Sequence, residues 1–181
     1  MQIRETGLSG LRILIPTVHK DHRGFFLEGF REEFFQGLDG SVHFVQDNHA
    51  RSEEAGVLRG LHYQAPPAAQ TKLVWVSRGS AFDVAVDLRR ASPTYGKSYG
   101  LVLTPDNFLR LLIPNGFAHG YMTLEQGTEF HYKVDSYYSP ESEGGLRWND
   151  PALNIAWPED TPIMTERDKN WPLLAELPAI F

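Results

Sequence analysis

Two side chains in the middle of the chain stand where apolar residues would be expected. Val57-Leu58-Arg59-Gly60-Leu61-His62-Tyr63-Gln64 reads as a strand, yet it carries a guanidinium, an imidazole and a phenol. Lys72 heads the next apolar run, Leu73-Val74-Trp75-Val76. With a period of two, Lys72 shares a face with Val74 and Val76, and His62 shares one with Leu58. A lysine or histidine on a largely apolar strand face costs free energy unless something partners it. Histidines are often structural, but lysine is rarely buried without a task. Together the two predict a pocket that does proton chemistry on a bound anion or carbonyl compound.

Proton abstraction beside a ketone needs a base near neutral pKa, a cation for the developing enolate and an acid to return a proton. Imidazole is the side chain suited to that range, which makes His62 the candidate base. Lys72 offers a compact positive charge. Tyr132, in Phe130-His131-Tyr132-Lys133-Val134, shares a face with Phe130 and Val134 and so points inward as the acid. Taken alone, such a tyrosine is more often a core residue with a satisfied hydroxyl. The base also needs an orienting carboxylate. Asp83, Asp87 and Asp168 are alternatives of the right type, and spacing does not choose among them.

The elements that must hold these groups are short strands. Expected strands are 10–16, 25–30, 42–49, the anchor segment at 57–64, 72–77, 81–88, 98–104, 108–113, 121–124 and 129–137. In 81–88, Phe82, Val84, Val86 and Leu88 form one face, and Asp83 and Asp87 flank Ala85 on the other. Turns are expected at 21–24, 52–56, 65–68, 78–80 and 92–96, and a tight glycine-bounded loop at Pro114–Gly120. A short helix over 31–38 ends at glycine. The tail from Ser139 wraps the barrel, with at most a short helix near 167–176. This pattern predicts an all-β jelly-roll barrel forming a single domain over 1–181. Parallel β/α architecture would need helical crossovers that the middle of the chain lacks.

Composition narrows the function. The chain has 181 residues, 41% hydrophobic and 22% charged, enough for one soluble globular domain with a sizeable core. It has no cysteine, which excludes disulfides and thiolate chemistry and suits a reducing compartment. The net charge of −6 provides no basic field for nucleic acid, although a few converging arginines could still hold a small anion. No signal peptide and no membrane-spanning run is expected, so the protein is expected to be cytoplasmic.

Two boxes resemble the metal-binding pattern of cupin jelly rolls. Gly56 and His62 fit the first, but Gln64 takes the place of its second histidine, and the expected glutamate falls within Ala65-Pro66-Pro67-Ala68-Ala69. Pro114, Gly116 and His119 fit the second. Two imidazoles from a set of three imidazoles and a carboxylate make a weak site for a first-row metal. No metal and no cofactor is expected.

At this point the residues resemble a family end to end. The blocks are Asp21-x-Arg23-Gly24-x-Phe26-x-Glu28, Gln46-Asp47-Asn48, Leu58 to Gln64, Asp83 to Arg89, Ser92 to Lys97, Pro114-x-Gly116 to Gly120, Trp148 to Pro151 and Ile155 to Pro158. In this order they are similar to the dTDP-4-dehydrorhamnose 3,5-epimerases, cofactor-free cupins of deoxysugar nucleotide biosynthesis. The resemblance implies conversion of dTDP-4-dehydro-6-deoxy-D-glucose to dTDP-4-dehydro-L-rhamnose by inversion at C3 and C5. It implies His62 as base, Lys72 as enolate stabiliser, Tyr132 as acid and Asp168 as the carboxylate orienting the base. Arg59 and His119 match positions lining the sugar and phosphate site. Arg23, Glu28, Gln46 and Asn48 match nucleotide-contacting positions. Tyr138 matches an aromatic that stacks on thymine, and Glu143 a further binding position. The resemblance also implies a homodimer in which the N-terminal strand joins the partner's sheet and some binding residues reach across. Arg167 replaces a frequent lysine, keeping the charge with a different geometry, and converges with Arg23 and Arg59 on the diphosphate. Tyr121 replaces a frequent phenylalanine. Relatives that invert only C3 or only C5 share nearly all these residues. A metal-dependent cupin oxygenase or isomerase and a non-catalytic sugar-nucleotide binder are the alternatives.

Overall fold

The computed structural model describes residues 1–38 and 42–181. In chain order its elements begin with β1 (Gln2–Glu5), β2 (Arg12–Ile15), β3 (Val18–Asp21), β4 (Gly24–Leu27), α1 (Glu32–Gln36) and β5 (Gln46–Ser52). The central strands are β6 (Leu58–Gln64), β7 (Lys72–Arg78), β8 (Ala81–Asp87), β9 (Ser98–Leu103), β10 (Arg110–Ile113), β11 (Phe117–Thr123) and β12 (Thr128–Val134). A 3-10 turn at Pro140–Ser142, a short β13 (Glu143–Gly145), α2 (Glu166–Lys169) and a second 3-10 turn at Leu174–Glu176 follow.

Two antiparallel sheets face each other. One has the order β1-β2-β10-β7-β12-β5 and the other β13-β6-β11-β8-β9, while β3 and β4 form a separate hairpin. Alternation along the strands explains the sandwich. Val74, Val76, Leu111, Ile113 and Phe130 point from the first sheet, and Ala85, Phe117 and Tyr121 from the second, into one shared core. The opposite face of the second sheet is covered by the tail, where Leu146, Leu153 and Leu177 pack on Leu61, Val84 and Val86. The wrapping tail is therefore observed, and its helical content is limited to α2 and two 3-10 turns, the first of which, at Pro140–Ser142, lies outside the stretch expected to be helical. On the outer face of the first sheet, α1 buries Phe35 against Leu14, Leu73 and Leu112. Removing a side chain such as Phe35 from water contributes about 1.5–3 kcal/mol.

Several boundaries differ from expectation. The strand expected over 42–49 begins at Gln46 and runs through Ser52, so the expected turn starts one residue later. Its polar residues fit because β5 is a sheet edge, paired only with β12. The expected loop at Pro114–Gly120 is mostly strand, since β11 starts at Phe117 and is buried along its whole length. The N-terminal strand, expected to cross to a partner, pairs here with β2 of its own chain, and all four of its residues are exposed.

The pairing of β6 with β11 contains the irregularity that builds the site. His62 lies opposite His119, but Arg59 lies opposite Tyr121, so three steps on β6 match two on β11. This β-bulge brings Arg59 into phase with His62, in place of the Leu58 that strict alternation would select. Gly60 and Gly120 make it possible. A Cβ at Gly60 would lie 2.7 Å from the Gly120 Cα, and Gly60 holds φ at +122°, a value that strongly favours glycine.

Candidate active site

A cavity of about 760 Å³ opens between the two sheets, beside β6, β7 and β12. Its walls bring together His62, Lys72, Tyr132 and Asp168 with Arg59, His119, Tyr138, Glu143 and Arg167. The imidazole comes from the five-stranded sheet, and the ammonium and phenol come from the six-stranded one.

The structure separates the three aspartates. Asp168 accepts a 2.7 Å hydrogen bond from His62 Nε2. Asp83 accepts one of 2.9 Å from His119 Nε2. Asp87 is spent on Arg89, Ser92 and Thr94, far from the base in role. Asp168 is held at the start of the four-residue α2, where its N–H donates to the Thr165 hydroxyl. The Trp171 indole donates to the same carboxylate oxygen as His62, at 3.2 Å. Burial works to raise the Asp168 pKa. Hydrogen bonding and charge from His62, with further donation from Gly60 and Trp171, outweigh it and lower the pKa. An ionised Asp168 must accept, so His62 Nε2 donates and Nδ1 carries the lone pair.

The Lys72 ammonium makes no hydrogen bond or ion pair among the described residues. Burial pushes its ammonium from the ordinary 10.5 down to about 8, against the pull of Asp83 and Glu143. Tyr132 is raised by burial, opposed by the Arg59 charge, and so stays a protonated phenol at neutral pH. At the mouth, the Tyr138 hydroxyl donates to Glu143 at 2.6 Å, and Arg167 is ion-paired to the same carboxylate. Burial tends to raise Glu143, but bonds from Arg167 and Tyr138 lower it overall.

Four of the expected binding residues lie outside this cavity. Gln46 and Asn48 sit on β5, with Asn48 directly opposite Tyr132, and bond to one another at 2.9 Å. Arg23 and Glu28 lie at the β3–β4 hairpin, satisfied by Asp21 and Arg31. The convergence expected of three arginines thus reduces, in one chain, to Arg59 and Arg167. A hairpin that forms its own two-stranded sheet does not deliver Arg23 to the barrel lumen.

The cupin-type metal set is not assembled. His62 and His119 are cross-strand neighbours, but each donates its Nε2–H to an aspartate. Gln64 donates its amide to the Ala68 and Tyr137 carbonyls. Among the described residues no three ligand atoms of His, Asp or Glu converge in this cavity.

Among the lining positions that sequence reasoning missed is Gln70, which carried no signal. The partner of His119, Asp83, was visible as an aspartate on an otherwise apolar strand. Tyr121 stacks on Phe130 with centroids 3.8 Å apart, and its buried hydroxyl has no partner. Burial pushes that phenol up to about 12. An unsatisfied buried donor costs about 1–3 kcal/mol, so Tyr121→Phe is expected to stabilise the free protein by a similar amount. Thermal melting checks this, and a lowered midpoint would mean that the hydroxyl has a partner in solution.

With this geometry in hand, comparison with known proteins is decisive. A family profile described as dTDP-4-dehydrorhamnose 3,5-epimerase matches residues 5–176. The chain belongs to the dTDP-4-dehydrorhamnose 3,5-epimerase family. The enzyme of that name from Salmonella typhimurium is 47% identical over 176 residues, covering 96% of each chain. A Bacillus anthracis epimerase structure with TDP and PPi bound shares 45% identity at a TM-score of 0.91, covering 95% of this chain and 98% of that one. A Legionella pneumophila epimerase structure in complex with dTDP-4-keto-L-rhamnose shares 43% identity at a TM-score of 0.92, covering 98% and 95%. As a member of this epimerase family the protein is an isomerase with a jelly-roll fold. No helix among the described residues is long and apolar enough to cross a membrane.

Proposed function

We propose that the cavity inverts C3 and C5 of a dTDP-linked 4-keto-6-deoxyhexose, with His62 as base, Lys72 as enolate stabiliser and Tyr132 as acid. The observation that carries this is the placement of His62 on one sheet and Tyr132 on the other, with the cavity between them. A sugar bound there has the base and the acid on opposite ring faces, which is what inversion requires.

His62 takes the proton from the carbon beside the ketone, and the C–H bonding pair flows into the enolate. The Lys72 ammonium faces the developing oxygen charge from a buried position, where an oriented cation counts most. Tyr132 then gives its proton to the opposite face; His62 releases its proton to solvent and the Tyr132 phenolate takes one up, and with both groups reset the cycle repeats at the second centre. Asp168 keeps the His62 lone pair on the reacting side and stabilises the imidazolium that forms. Arg59 and Arg167 suit the diphosphate, and His119, oriented by Asp83, suits the sugar. Tyr138 offers a face for thymine, held by its bond to Glu143.

The reading includes a cytoplasmic homodimer. Phe25 and Phe26 on the hairpin are 59% and 71% exposed, and Arg23 and Glu28 beside them do not line the cavity of their own chain. A second copy would bury those rings and receive Arg23 and Glu28 at the nucleotide end of its own cavity, on the side where its Gln46 and Asn48 share the β5 face of the cavity-lining Ala50.

Tyr132→Phe tests the division of labour. Abstraction survives, so solvent-proton exchange at the sugar outlasts epimerisation, read by NMR and product analysis on the same sample. Equal loss of exchange and epimerisation contradicts it.

A further inference from the structure

The outer face of β5 and β12, turned away from the cavity, carries a second cluster. His49 and His131 are directly opposed across the pair, with rings stacked at 4.0 Å. Glu129 lies two residues before His131 and so shares its face. One ligand atom from each of the three lies within 4.8 Å of the others. His49 Nε2 is already 3.2 Å from a Glu129 carboxylate oxygen.

We propose that His49, Glu129 and His131 form a binding site for a divalent first-row cation such as Zn²⁺. Two imidazoles and a carboxylate suit this ion, and three protein ligands leave a position for water. Ligands around one tetrahedral Zn²⁺ stand about 3.4 Å apart, from bonds near 2.1 Å. Closing the set from 4.8 Å takes side-chain rotations that bring the ligand atoms together by up to about 1.4 Å. His131 has the support such a ligand needs. Its Nε2 is bonded to Ser77 Oγ at 2.7 Å, leaving Nδ1 free, and its ring stacks on Trp75 with an interplanar angle of 8°. Arg51 competes weakly for Glu129, at 4.0 Å, and has Glu53 at 3.0 Å as its own partner. A cation here would tie the edge strand β5 to β12, and the reverse face of the same two strands presents Ala50 and Tyr132 to the cavity.

The site stands apart from the epimerase reading and its test reads binding directly. The full chain is stripped with a chelator, dialysed and titrated with ZnCl₂ by calorimetry, with melting followed in parallel. The expected result is one Zn²⁺ per chain with micromolar affinity and a raised melting temperature. His49→Gln and Glu129→Gln each weaken binding by more than about tenfold, as loss of a ligand should. Both leave metal-free epimerisation unchanged. Absent or substoichiometric binding overturns the proposal, and so does full affinity in the folded His49→Gln/Glu129→Gln double variant.

Discussion

His62→Ala is expected to lower turnover by roughly 10²–10⁴, the usual contribution of a well-placed base, while the fold persists. The fold persists because the base sits in the wall of an open cavity. Its side chain is 31% exposed, so truncation opens little buried volume. The carboxylate it leaves behind keeps other donors, since Asp168 still accepts from Trp171 and more weakly from the Gly60 N–H at 3.5 Å. Steady-state turnover and thermal melting of the same preparation decide the matter. Wild-type turnover would mean that the cavity binds a sugar nucleotide without His62 acting on it.

Lys72→Met carries the second large effect, with opposite signs for activity and stability. In the proposed reaction the ammonium is the cation facing the enolate, and losing such a group costs about 10²–10³ in turnover. Its burial is also a standing cost. The folded chain holds Lys72 near 8 and the unfolded chain near 10.5, so the unfolded state binds the proton more tightly. Below pH 8 the full cost of burying the charge is present, and it fades as pH rises from 8 toward 10.5. Lys72→Met is therefore expected to stabilise the protein by about 1–3 kcal/mol at pH 7 and by less at pH 10. The wild-type activity should fall on an alkaline limb near pH 8, as the ammonium loses its proton. Paired melts at the two pH values and a pH–rate profile check these signs. A destabilised Lys72→Met variant would mean that Lys72 has a native partner that the geometry does not provide.

Much of this was legible from periodicity. The face shared by Lys72, Val74 and Val76, and the inward Tyr132, follow from alternation alone, because β7 and β12 pair regularly across the site. The bulge was not legible. Strict alternation pairs His62 with Leu58, whereas the extra residue at Gly60 and Leu61 substitutes Arg59. Gly120 reads as the boundary of a tight loop, yet it lies mid-strand, where a Cβ would come within 2.7 Å of the Arg59 carbonyl oxygen. Local pattern cannot distinguish a turn from two backbones in close approach. The choice among Asp83, Asp87 and Asp168 was equally out of reach, because Asp168 meets His62 across 106 positions. The resemblance supplied that pairing, and the fold supplies its reason in the short α2 and the Trp171 indole beside it.

The most direct measurement follows the wild-type protein acting on dTDP-4-keto-6-deoxyglucose in D₂O by proton NMR, without added metal. Deuterium entering at both C3 and C5 as the inverted sugar accumulates is the predicted result. Inversion without solvent deuterium, or activity that a chelator abolishes and a divalent ion restores, would contradict proton transfer through His62 and Tyr132.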